Sequence, residues 1–356
     1  MSGSSRSSLS KAADLEWCHE AVQGVSRTFA LTIDVLDEPM SSYICVGYLL
    51  CRVADTVEDA NHLPPDEQAT ILRTYDALLD PEEPADVATF MERVEPWLPA
   101  EGGRSADWEV VAETPRVVRA FERQPAAVRE AIRPPVRELV SGMALFVERY
   151  AEEGGLRIQT REELEEYCYY AAGTVGKLIT NLVCRGDVEE RTERRLYASA
   201  ESFGLLLQLV NISKDVYADV REENNVYLPA DWLESEGVPQ EAVCADENVA
   251  ESATVVRRTA DHARTFLDDA QRYLQSVPQI DGNRLAAWTI PYLLAVGTLR
   301  ELSARPEDAL SEKGVKISRQ EVHAIVNRTL GETDPEALPE LRRTIDSQPF
   351  HQAYQS

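Results

Sequence analysis

Lysine is scarce in this chain: only Lys11, Lys177, Lys214, Lys313 and Lys316 stand among the 36 basic residues of its 356. With 62 acidic residues the formal charge is −26. That balance excludes nucleic acid as a partner, because its phosphates would be repelled over the whole surface. Abundant acid with little lysine is the composition expected of a halophilic protein, whose charge is screened by concentrated salt. No run reaches the 18 or more apolar residues of a membrane span. The polar start, Met1-Ser-Gly-Ser-Ser-Arg-Ser-Ser, is not a signal peptide, so a cytoplasmic location is expected. The six cysteines include no Cys-x-x-Cys pair and fall mostly in apolar stretches, which predicts reduced, buried thiols. Gly-x-Gly-x-x-Gly and Gly-x-x-x-x-Gly-Lys are both missing, which excludes a Rossmann dinucleotide domain and a P-loop. Neither His-x-x-x-His nor a cysteine cluster offers a zinc site, and the five histidines are scattered.

Sustained alternation of apolar and polar residues is also missing, so strands are not expected. The periodicity is helical almost throughout. It predicts helices near 10–24, 26–35, 40–61, 66–80, 86–98, 107–122, 125–152, 161–186, 190–221, 248–276, 281–303 and 318–330. No break is long enough to be an interdomain linker. At 44% hydrophobic residues the chain can form a substantial core. The expected architecture is all-α: one large helical bundle over residues 1–330 with its site in a central cavity, followed by a polar tail over 331–356.

Two aspartate pairs share a four-residue spacing, Asp55 with Asp59 and Asp215 with Asp219. On a helix such residues lie on one face, about 6 Å apart along the axis. Two carboxylates so placed repel each other unless a cation sits between them. A third pair, Asp76 and Asp80, acts as an internal control. It stands just before Pro81 and reads as a solvated helix end. The other two keep different company. Tyr48, Arg52, Asp55 and Asp59 form one stripe, and Gln208, Asn211, Asp215 and Asp219 another, each on an otherwise apolar helix. A polar stripe on an apolar helix is expected to line a cavity rather than face solvent. Facing carboxylates there would suit Mg²⁺ held together with substrate phosphates and water. Two surface helices with ordinary salt bridges are the plainer alternative.

Four ordered blocks resemble the squalene and phytoene synthase family, the head-to-head prenyl transferases, and the squalene synthase branch in particular. They are Ser26-Arg27-Thr-Phe29-Ala30, Asp55-Thr-Val-Glu58-Asp59, Tyr167-Cys-Tyr-Tyr170-Ala-Ala-Gly173-Thr-Val-Gly176, and Asn211 to Asp219 with Tyr227-Leu-Pro229 behind it. A weaker fifth block is Val315-Lys316-Ile317-Ser318-Arg319. Ser318 and Lys214 stand where many squalene synthases carry arginine, and the Tyr-Leu-Pro loop is as close to phytoene synthases.

The resemblance implies a fold of the isoprenoid synthase type and a substrate, farnesyl diphosphate. It implies that Mg²⁺ is held by Asp55, Glu58, Asp59, Asp215 and Asp219, as Lewis acid and template for the departing diphosphate. Arg27, Arg52 and Lys214 would add positive charge, with Ser26, Gln208 and Asn211 beside them. Tyr48, Phe29 and Tyr170 would turn ring faces to an allylic cation. Tyr170 is the implied proton acceptor as presqualene diphosphate forms, its hydroxyl expected over Gly173. Reduction to squalene would take hydride from NADPH, for which Lys316, Ser318 and Arg319 are the candidates. Peripheral contact with a membrane for product release is a further implied partner. Phytoene and dehydrosqualene synthases, which omit the hydride step, are the alternatives within the family. A non-catalytic helical scaffold of the same fold is the alternative outside catalysis.

Overall fold

A computed structural model describes residues 3–82, 85–331 and 334–353, with side chains from residue 13 onward. Among the described residues there are seventeen α-helices and no strand. In chain order they are α1 (Gly3–Val25), α2 (Arg27–Val35), α3 (Met40–Glu58), α4 (Pro65–Leu78), α5 (Val87–Val94), α6 (Ala106–Ala112), α7 (Thr114–Glu122), α8 (Ala126–Arg149) and α9 (Arg161–Cys168). There follow α10 (Thr174–Cys184), α11 (Glu190–Ala218), α12 (Ala230–Ser235), α13 (Val249–Arg264), α14 (Leu267–Ser276), α15 (Leu285–Ala304), α16 (Arg319–Leu330) and α17 (Leu338–Ser347). No helix among the described residues is long and apolar enough to cross a membrane. All six cysteines are free thiols, four of them buried.

The chain groups into two compact units. The first comprises Met1–Arg149, Lys177–Val188 and Gln279–Arg284. Its core is built on α3, whose Leu49, Leu50 and Val53 are fully buried, together with Phe90, Phe121, Ile132 and Leu139. Each such side chain contributes about 1.5–3 kcal/mol on burial, enough to fix which way the helix faces. The second unit comprises Tyr150–Gly176, Glu189–Pro278 and Leu285–Ser356. Its core gathers Leu206 and Leu209 of α11 with Val256, Tyr273, Leu274, Trp288 and Leu299.

Several helices start where the sequence supplies a side-chain acceptor. Ser26 Oγ accepts from Phe29 N at 3.2 Å, Thr160 Oγ1 from Glu163 N at 3.2 Å, and Ser318 Oγ from Glu321 N at 3.1 Å. The expected helix over 107–122 is two helices, parted at Glu113, because Pro115 has no N–H to bond back to the Val111 carbonyl, which accepts the Thr114 hydroxyl at 2.7 Å instead. The stretch expected as a tail holds α17, whose Leu338, Leu341 and Ile345 are buried. Those three positions make an apolar stripe at helical spacing within a polar segment. A buried ion pair secures the same region. Arg300 donates to both carboxylate oxygens of Glu321 at 2.8 Å, and Glu321 also accepts from the Phe350 amide at 3.0 Å.

Two helical turns depart from the 3.6-residue period. Tyr169–Gly173 and Asp219–Glu223 are π-helical, each packing an extra residue into a turn. They carry two of the residues singled out by the sequence, Tyr170 and Asp219.

Candidate active site

In the first unit, the partly exposed residues of α3 are Tyr43, Tyr48, Arg52 and Asp55, with Asp59 capping its end. The predicted stripe is therefore the side of the helix left out of the core. Arg52 is its hub. Its NH2 nitrogen donates to the Tyr48 hydroxyl at 2.7 Å, and its Nε lies 4.0 Å from Asp55 and 3.7 Å from Asp107. The Tyr48 ring stacks on Phe29 with centroids 4.1 Å apart, so the Ser26–Ala30 block and the first acidic motif form one cluster. Arg27, at the start of α2, is exposed.

One guanidinium thus serves two carboxylates and a phenol. Burial raises the Asp55 carboxyl to about 6; Arg52 opposes the rise and Asp107 adds to it. Asp107 was not anticipated, because it sits on α6, outside any motif, and reaches Arg52 only through tertiary packing. Glu58 lies off the stripe, on the buried side of α3. The backbone beside it is held by Gln68, which donates to the carbonyls of Val57, Glu58 and Ala60.

The second unit carries the other stripe. Leu205, Leu206, Leu209, Val210, Ile212 and Val216 of α11 are buried, while Gln208, Asn211, Asp215 and Asp219 keep some exposure. Lys214 pairs with Asp215. Asp219 is raised to about 9, chiefly by burial and then by the neighbouring Glu223 and Asp215 carboxylates, with Lys214 opposing. Lys316 and Arg319 are exposed. Their loop comes near the second motif at Gly314, where a Cβ would lie 4.0 Å from the Lys214 carbonyl. Ser318 is committed to capping α16.

The tyrosine helix differs from expectation in one respect. A Cβ at Gly173 would meet the Tyr169 ring at 3.0 Å, so Tyr169, rather than Tyr170, lies over that glycine. The π-turn explains the difference, because a 3.6-residue period does not hold across it. The Tyr170 ring stands edge-on to Tyr169, with centroids 5.3 Å apart. Gly176 and Gly204 let α10 and the π-turn before it touch α11 through their backbones: a Cβ at Gly176 would lie 2.2 Å from the Ala200 carbonyl oxygen, and one at Gly204 2.2 Å from that of Ala172.

The donors in both stripes are hard oxygens, which suit a divalent cation such as Mg²⁺. Among the described residues no three His, Cys, Asp or Glu side chains gather into a group that could hold a metal alone. The arrangement fits a cation held by a few carboxylates together with the oxygens of an incoming ligand. The raised Asp55 and Asp219 fit it too, since a cation would favour their ionised forms.

The fold is shared with solved proteins. The complex of TcSQS with the ligand BPH1237 superimposes with a TM-score of 0.74 at 23% identity, over 96% of this chain and 100% of that one. The sequence profile of the squalene/phytoene synthase family matches residues 22–321, and the chain belongs to that family. Squalene synthase of Schizosaccharomyces pombe is 26% identical over 310 residues, 87% of this chain and 64% of that protein. Presqualene diphosphate synthase of Botryococcus braunii is 28% identical over 280 residues, 79% of this chain and 62% of that protein. The chain therefore spans under two thirds of the length of these relatives.

Proposed function

We propose that the protein is a Mg²⁺-dependent prenyl transferase that joins two farnesyl diphosphates head to head into presqualene diphosphate and then reduces this to squalene with NADPH. The observation that carries the reading is the pair of carboxylate stripes, each on a helix whose apolar side is buried, in which burial opposes the ionisation of Asp55 and Asp219. Such sites fit a ligand that brings its own cation and phosphate oxygens.

Asp55 and Asp59, with Glu58 behind them, and Asp215 and Asp219 would hold Mg²⁺, which supplies Lewis-acid neutralisation of the leaving diphosphate. Arg52, fixed by Tyr48, and Lys214, beside Asp215, add fixed positive charge next to the carboxylates. Arg27 is an exposed cation free to meet an arriving diphosphate, and Gln208 and Asn211 extend the second stripe with neutral hydrogen-bonding groups. The stacked Phe29 and Tyr48 rings offer electron-rich faces to an allylic cation, an attraction of about 0.5–2 kcal/mol each. Tyr170 is the group proposed to take the proton lost on closing the cyclopropane. Lys316 and Arg319 suit the phosphates of NADPH, which supplies the hydride; Ser318 is occupied by its capping bond.

A second reading stops the chemistry before the hydride step. It is favoured by the similarity to a presqualene diphosphate synthase, at 28% identity beside 26% for the squalene synthase of Schizosaccharomyces pombe. The test is incubation with farnesyl diphosphate and Mg²⁺, with and without NADPH. Squalene formed only with NADPH, and presqualene diphosphate or an unreduced C30 product without it, is the expected result. A product that NADPH does not alter would favour the second reading. A C40 product from geranylgeranyl diphosphate would replace both with phytoene synthesis, and no turnover of either substrate would leave a scaffold.

A further inference from the structure

Both π-turns lie in the second unit, and a buried line of polar groups runs between them. Asn225, 2% exposed, follows the Asp219–Glu223 turn and donates its backbone amide to the Asp219 carbonyl at 2.9 Å. Its side chain is committed at both ends: Oδ1 accepts from the Leu156 amide at 2.9 Å, and Nδ2 donates to the Tyr227 hydroxyl at 3.1 Å. That hydroxyl lies 3.1 Å from the hydroxyl of Tyr167, and the two rings pack 4.9 Å apart. Tyr167 belongs to α9, two residues before the Tyr169–Gly173 turn begins. The backbone around the line is pinned as well. Val226 N donates to the Leu156 carbonyl at 2.8 Å and Ile158 N to the Val226 carbonyl at 3.1 Å.

We propose that Asn225, Tyr227 and Tyr167 form a positioning brace that sets the π-turn of Asp219 and the π-turn of Tyr170 together, so that the Tyr227 hydroxyl controls the placement of the second carboxylate pair. A packed tyrosine pair needs no hydroxyl contact, and buried polar groups are retained at a cost unless they are satisfied. Here the two hydroxyls and the amide satisfy one another, and the line ends at each irregular turn. π-turns are rarer than regular helix and recur at functional sites, so a device that holds two of them in register has a use. What the brace positions rests on the diphosphate reading given above; that the turns are coupled does not.

The experiment compares Tyr227→Phe, Tyr167→Phe and the double variant with wild type. Each keeps the ring and removes one hydroxyl. Hydrogen exchange followed by mass spectrometry reads the two turns separately. Each single variant is expected to raise exchange about tenfold in both 169–176 and 219–226, with the double variant adding little, as coupled residues do. A rise confined to the neighbourhood of the substituted residue overturns the brace. The second readout is the Mg²⁺ concentration that half-saturates thermal stabilisation in the presence of inorganic diphosphate. It is expected to rise about tenfold in Tyr227→Phe, typical of a residue that orients a metal ligand. Faster exchange at both turns with an unchanged Mg²⁺ requirement overturns the positioning role and leaves a structural one. If wild type is not stabilised by Mg²⁺ with diphosphate, the diphosphate reading fails, while the exchange data still decide whether the turns are coupled.

Discussion

Asp55–Asp59 and Asp76–Asp80 have the same spacing and belong to the same unit, yet their surroundings differ in kind. Arg137 of α8 reaches into the second pair, meeting Asp76 at 2.8 Å and Asp80 at 3.0 Å. That pair carries its own cation, an ion pair where the sequence suggested plain solvation. Around the first pair the cation is shared, because Arg52 answers Asp55, Asp107 and the Tyr48 hydroxyl at once. Spacing places two carboxylates on one face; the residue that packs opposite decides whether they are balanced. A balanced pair fastens two helices. A carboxylate that burial desolvates, as at Asp55, favours any positive charge brought to it.

The largest expected effect separates those two cases. Asp55→Asn and Asp215→Asn should each lower turnover of farnesyl diphosphate by at least about 10²-fold with unchanged far-ultraviolet circular dichroism, while Asp76→Asn stays near wild type. Steady-state product formation measures this, and Asp55→Asn retaining activity within a few-fold would sink the contrast. Neighbours should distinguish the adjacent tyrosines in the same way. Tyr170→Phe is expected to cost about 10²-fold in kcat if its hydroxyl handles a proton. Tyr169→Phe keeps the ring that covers Gly173 and should change little. Equal, mild losses at both would reduce Tyr170 to packing.

A smaller effect is one of pH. An acid raised in the folded chain keeps its proton there while the unfolded chain has released it. Metal-free stability from these groups is therefore greatest below the ordinary carboxylate range, and falls as pH rises through about 6 for Asp55 and about 9 for Asp219. Melting of the metal-free protein in buffers from about pH 5 to 9 should show Asp219→Asn flattening this decline and melting a few degrees higher at the alkaline end. A slope identical to wild type would remove the claim of underbalanced charge at Asp219. The smallest effect belongs to the balanced pair. Asp76→Asn should cost about 1 kcal/mol, a shift of about 2–4 °C in Tm, with a similar loss in Arg137→Ala and little further loss in the double variant.

The all-helical class and both stripes were legible in the sequence because each is a local periodicity. Every position that the spacing of Tyr48 to Asp59 and of Gln208 to Asp219 picks out keeps some exposure, while the apolar residues Leu49, Leu50, Val53, Leu205, Leu206 and Leu209 are buried. The break at Glu113 carried a local signal too, Pro115, one that helical period outweighed. Other features have no local signal. Arg137 meets Asp76 across 61 positions, and Asp107 meets Arg52 from another helix, so only packing reveals either. The π-turns escaped because a fixed 3.6-residue period was carried through residues 169–173, which reversed the roles of Tyr169 and Tyr170 over Gly173. The helix α17 was masked by its polar composition, although Leu338, Leu341 and Ile345 stood at helical spacing.

The reciprocal close approach at Gly176 and Gly204 has an evolutionary meaning. At each position a single methyl group would collide with a main-chain oxygen of the facing helix, and no rotamer can absorb that collision. The gap between the tyrosine helix and the second aspartate helix is thus gauged by atoms the chain omits. Alanine at either glycine would act as a shim, moving the two backbones apart without changing the chemistry of any side chain that they carry. These two positions give mutation a dial for the spacing of the helices, separate from the identity of the groups that they carry.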